Sequence, residues 1–130
     1  MEDANQVAVT NRVQVYEADV LIGKDWQLVD LCGKEVSGRR PITLRFDVEE
    51  RVVGTSFVNR FFGSFTLKDG VLSVSRVGST SRIGPPEMME DEQTYLTALG
   101  NAKSVTMIGD DQLVIEIEGQ ELPLKFKLVK

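Results

Sequence analysis

The sequence has no histidine and one cysteine, Cys32. Without histidine, most nucleophilic triads, most zinc sites and the usual acid–base group near neutral pH are excluded. A lone cysteine cannot close an internal disulfide, so the domain must stand on its core. Cys32 ends an apolar segment between Leu31 and Gly33. It reads as a small buried hydrophobe, because a reactive thiol needs a nearby base. No stretch approaches the roughly 18 apolar residues of a membrane span, and no apolar signal-peptide core is visible. Basic charge is also short: the net charge is −5 and Arg39-Arg40 is the one basic pair, expected in a solvated turn. That balance argues against a nucleic-acid binder that works by neutralising phosphates. Gly78-Ser79-Thr80-Ser81 lacks the Gly-Lys-Ser/Thr ending of a phosphate loop and reads as a plain loop.

What is present suits one globular domain. A chain of 130 residues with 42% hydrophobic and 27% charged residues can bury an adequate core. Residues 1–19 read as a polar leader. Its first ten residues are expected to be flexible, and the alternation of Val7, Val9, Val13 and Val15 predicts an edge strand over the rest. The leader is compatible with a natural start or with the stub of a removed signal sequence.

From Trp26 onward the pattern is β. Strands are predicted at Gln27 to Leu31, around Ile42, Leu44 and Phe46, at Arg51 to Gly54, Phe61 to Lys68 and Val71 to Ser75, then at Ser104 to Ile108, Gln112 to Glu118 and Leu122 to Val129. Asp69-Gly70 predicts a two-residue hairpin turn. One helix is predicted from Pro85 or Pro86 to Leu99. Proline suits its first turn and Gly100 its C-terminal cap, and Met88, Met89, Tyr95, Leu96 and Leu99 form an apolar stripe. Glu90, Asp91 and Glu92 fan around this helix and read as solvated, not as convergent acids. The fold class is therefore mainly β (α+β): a strongly curved antiparallel sheet or small β-barrel with one helix covering it.

Phe57, Phe61, Phe62 and Phe65 crowd nine residues. Phe61 and Phe65 share a face and serve the core. Phe62 points the other way, and Phe57 lies in the preceding turn. One reading packs these rings under the helix; the other makes Phe57 and Phe62 an apolar patch or cleft for a partner.

In order along the chain, Leu21, Gly23, Trp26 and Leu28, then Thr43, Leu44 and Phe46, then Gly54 with Phe57-Val58-Asn59, Phe61, Gly63 and Phe65 resemble the META domain family of the heat-shock protein HslJ type. Thr80, Met89, Glu92, Tyr95, Leu96, Leu99, Gly109-Asp110, Leu113, Leu124 and Phe126 continue the resemblance, which covers Leu21 to Lys130; the domain is taken as 20–130. Val58 and the Gly84-Pro85-Pro86 stretch replace a pair of positions where the family often has cysteine, and Phe57 replaces a glycine. Asn59 is read as a turn residue bonding backbone groups.

The resemblance implies a bacterial envelope protein or lipoprotein, with stress links, and carries over no catalytic residue. The leading expectation is a non-enzymatic binding module of the bacterial cell envelope, periplasmic or lipid-anchored if a signal sequence was removed, that engages a protein partner or an apolar, lipid-like ligand. Its expected binding surface is Phe57, Phe62 and Asn59. No catalytic, cofactor or metal site and no nucleic-acid partner are expected. The second expectation is a stress-related structural or chaperone-like domain without a fixed ligand, with a cytoplasmic location as the alternative. A carboxylate-dependent hydrolase is the third.

Overall fold

Alternating side chains fold this chain into one continuous curled sheet. The computed structural model describes residues 12–16, 18–36 and 41–129. The strands are β1 (Arg12–Gln14), β2 (Asp25–Leu31), β3 (Lys34–Glu35), β4 (Thr43–Asp47), β5 (Arg51–Thr55), β6 (Arg60–Lys68), β7 (Val71–Ser79), β8 (Ala102–Ile108), β9 (Gln112–Ile117) and β10 (Leu124–Leu128), with one helix, α1 (Pro86–Gly100), between β7 and β8. The order across the sheet is β1-β8-β9-β10-β2-β4-β5-β6-β7, with β3 hanging on β2. All strand pairs are antiparallel. The sheet curls into a half-barrel whose far strand, β7, comes back near β8. The predicted leader strand is real but short, and it forms one end of the sheet. Residues 1–10, expected to be flexible, and Arg39-Arg40, expected in a turn, lie outside the described residues.

The alternation decides what is inside. Leu44 and Phe46, Phe61 and Phe65, Leu72 and Val74, Leu113, Ile115 and Ile117, and Leu124 and Phe126 all face the core. Trp26, Phe46, Tyr95 and Phe126 are the largest fully buried side chains and fill the barrel. The Asp69-Gly70 hairpin forms as expected, with both residues at positive φ (53° and 85°), the geometry of a type I′ turn.

Three expectations change. β7 runs to Ser79 instead of stopping at Ser75, because a bulge at Arg76 (φ 56°) restores the pairing: Ser64 meets Ser75, while Phe62 meets Gly78. Leu122 precedes β10 and is exposed, so it does not share the inward face of Leu124. Gly100 is the last helical residue and not the cap; Asn101 ends the helix, its N–H donating to the carbonyls of Ala98 and Leu99 and its Nδ2 donating to Thr97 O at 2.9 Å.

Candidate functional site

Helix α1 turns Glu92, Tyr95, Ala98 and Leu99 inward, a stripe of three- and four-residue spacings. Tyr95 goes deepest. Its ring meets Phe61 edge-on at 5.6 Å and Phe57 at 6.4 Å, and tilts over Phe126 at 6.5 Å. Burial pushes its phenol far above the usual range, so it stays neutral.

One turn earlier on the same face sits Glu92, 5% exposed. A buried carboxylate needs partners, and the loop between β5 and β6 supplies them. The N–H groups of Val58 and Asn59 donate to Oε1 at 2.8 and 2.7 Å, and Asn59 Nδ2 donates to Oε2 at 2.7 Å. Burial by itself would raise the pKa of this carboxyl. The Asn59 side chain, the Asn59 and Val58 N–H groups and a weaker pull from the Ser56 hydroxyl, which does not reach hydrogen-bonding geometry, outweigh burial and hold it below the ordinary glutamate value. The expectation that Glu92 is solvated is therefore overturned.

Asn59 uses both ends of its amide. Besides Glu92, its Nδ2 donates to Arg82 O at 3.1 Å, and its Oδ1 accepts from Thr80 Oγ1 at 2.9 Å and from the Arg82 N–H at 2.6 Å. Thr80 Oγ1 also accepts from the Arg60 N–H at 3.2 Å. A hydrogen-bonded chain thus runs from the helix through Glu92, Asn59 and Thr80 to the first residue of β6.

That chain ends at the wall of a shallow concavity on the outer face of β5 and β6. It holds about 490 Å³ and is lined by Arg51, Val53, Gly54, Thr55, Arg60, Phe61, Phe62 and Thr80. Phe62 is paired with Val53 on one side and Gly78 on the other. Its ring lies over Gly78, where a Cβ would come within 2.8 Å of it, yet the residue stays 49% exposed. Arg51 and Arg60 are exposed at the two ends of the concavity. The segment from Arg51 to Gly84 carries five basic residues against one acid, Asp69, within a chain of net charge −5.

The three residues singled out in the sequence do not form one surface. Phe57 (9% exposed) packs on Tyr95, and Asn59 (3% exposed) is spent on Glu92, Thr80 and Arg82. Phe62 alone of the three faces water. Sequence reading missed Arg51 and Arg60 as its neighbours; the local excess of basic residues was the available signal.

The profile of the META domain matches residues 19–127. The chain belongs to the META domain family. An NMR structure of a protein from Burkholderia xenovorans superposes with a TM-score of 0.67 at 26% identity, covering 87% of this chain and 86% of that one. A second NMR structure gives 0.64 at 26% identity, covering 81% and 88%. A DUF4847 family protein from Bacteroides vulgatus shares the fold, with a TM-score of 0.60 at 15% identity, covering 85% of this chain and 95% of that one. No curated protein matches. In this META domain the loop holding Val58 and Asn59 is one of the segments that carried the resemblance, and Val58 lies against Gly84, where a Cβ would be 2.8 Å from a Val58 methyl. The two positions read as a replaced cysteine pair are therefore neighbours in space.

Proposed function

We propose that this META domain is a non-enzymatic binding module that engages a protein partner through the outer face of β5 and β6, around Phe62. The observation that carries this reading is a half-exposed phenylalanine set in a concavity between two exposed arginines. Aromatic and arginine side chains supply much of the energy of protein interfaces. The barrel interior is filled by Trp26, Phe46, Tyr95 and Phe126, which favours a partner on the outside over an apolar ligand within. The buried carboxylate is engaged by N–H donors that stabilise its charged form, the opposite of what a general acid requires. A location in the bacterial cell envelope is part of the proposal and rests on the family resemblance; fractionation of cells expressing the native gene tests it.

The function is tested by placing a photo-crosslinking benzophenone amino acid at position 62 and, separately, at Val71, an exposed apolar residue on the β6–β7 hairpin. Illumination in cells should yield a discrete adduct from position 62 that is absent from position 71. Identical adduct patterns at both positions would remove the case for this surface.

A further inference from the structure

Resting on that reading of the concavity, we propose that its occupant is an extended segment of a partner protein with two acidic side chains four residues apart and an apolar side chain midway between them. The register sets this spacing. On β5, Arg51, Val53 and Thr55 lie on the outer face; on β6, Arg60, Phe62 and Ser64 do. Arg51 pairs with Ser64, Val53 with Phe62 and Thr55 with Arg60. The two arginines thus sit at opposite ends of the Val53–Phe62 pair, four residues apart along the strands, or about 14 Å at the rise of an antiparallel strand. An extended peptide has the same rise, and its residues i, i+2 and i+4 face one side. A carboxylate at each end and an apolar group between them therefore meet Arg51, the Val53–Phe62 pair and Arg60 together.

Charge decides between classes of occupant. Arg45, next to Val53 in the sheet, is already engaged by Asp25 through Nε at 2.8 Å. Arg51 and Arg60 make no ion pair among the described residues. A guanidinium suits a carboxylate because its planar fork donates two parallel hydrogen bonds. An anionic membrane offers negative charge too, but a flat surface covering Arg51 would also meet Glu49 and Glu50, exposed in the adjoining turn. A narrow strand lying along β5 and β6 avoids them.

The test measures binding of fluorescent peptides to the full chain by anisotropy. The probe has a Glu-Ser-Leu-Ser-Glu centre; its controls carry Gln for Glu, Lys for Glu, or the two Glu three residues apart. Vesicles of phosphatidylglycerol form a separate arm. The proposal expects the Glu probe to bind at least about tenfold tighter than each control. Binding should weaken as salt rises from about 50 to 200 mM. It should be lost in R51E/R60E but not in K103E, which changes an exposed lysine on β8, all with unchanged melting temperatures. Equal binding of the Gln and Glu probes, with no effect of R51E/R60E, overturns the acidic partner while leaving Phe62 as the contact. Binding of every peptide unaffected by Phe62→Ser overturns the underlying surface as well. No peptide binding, or Arg51- and Arg60-dependent capture by vesicles alone, overturns the proposal.

Discussion

Asn59 Nδ2 lies 2.7 Å from Glu92 Oε2, so a loop of the sheet and the helix are joined through a buried, charged hydrogen bond across 33 residues of sequence. The same carboxylate takes two backbone N–H groups, and the same asparagine holds Thr80 and Arg82. The outer-face concavity inherits its shape from this junction, because Thr80 lines it and fixes the start of β6.

Removing Glu92 leaves the Val58 and Asn59 N–H groups without a partner and Asn59 Nδ2 with Arg82 O alone. Glu92→Ala is expected to cost about 1–3 kcal/mol, the penalty for leaving buried donors unsatisfied. The pH dependence has a definite sign. The Glu92 carboxyl is held below its unfolded value of about 4.3. It therefore contributes stability that is fully present above that pH and is lost as pH falls through the lower, folded value. Urea denaturation of wild type and Glu92→Gln between neutral pH and pH 3 checks this: the gap in stability should be constant near neutrality and narrow below about pH 4. A gap that stays the same at pH 3 would mean that the charge of Glu92 contributes nothing.

Val58 and Gly84 should accept the crosslink that the chain lacks. An ideal Cβ at Gly84 lies 3.6 Å from Val58 Cβ, inside the roughly 3.5–4.5 Å window of disulfides. Val58→Cys with Gly84→Cys is expected to oxidise spontaneously and to stabilise by about 3 kcal/mol. Thermal melting with and without reductant measures the gain, and a double variant that stays reduced in air would contradict the geometry.

Trp26 and Asp91 mark the two ends of the stability scale. Trp26 is fully buried, and Trp26→Ala should cost about 3–5 kcal/mol. Asp91 takes a bond from Lys34 Nζ at 2.9 Å, but the lysine is largely in water, so Asp91→Ala should cost less than about 1 kcal/mol. Denaturation midpoints of the two variants give both numbers, and a small loss at position 26 or a large one at 91 would reverse this assignment of core and surface.

Much of the fold was legible because strands with one buried face advertise it. Leu44 and Phe46 alternate cleanly with polar neighbours, and Leu113, Ile115 and Ile117 do so apart from Val114, which is also buried; each such segment is a strand. The helix was legible from its prolines and its apolar spacing. Glu92 was not. A glutamate between Asp91 and Gln93 looks solvated, and its burial depends on donors 33 and 34 residues away. Phe57 was half legible: of the two readings open to it, packing under the helix is the one that holds, because Tyr95 arrives from the helix to cover it, and the exposed patch is not. The extension of β7 past Ser75 depends on Arg76 adopting a left-handed backbone, a conformation that an arginine does not signal. Phe62 was legible because its neighbours Phe61 and Phe65 had already claimed the inner face.

The most direct measurement compares Phe62→Ser with Phe57→Ser, in stability and in association with the partner identified by crosslinking. Phe57→Ser should be strongly destabilised, since it opens a gap beneath Tyr95. Phe62→Ser should lose no more than about 1.5 kcal/mol, since only half of the ring is buried, against Gly78, and should lose the association. A Phe62→Ser protein that unfolds easily yet still binds its partner would contradict the account, because Phe62 would then be part of the sheet's packing and the binding surface would lie elsewhere.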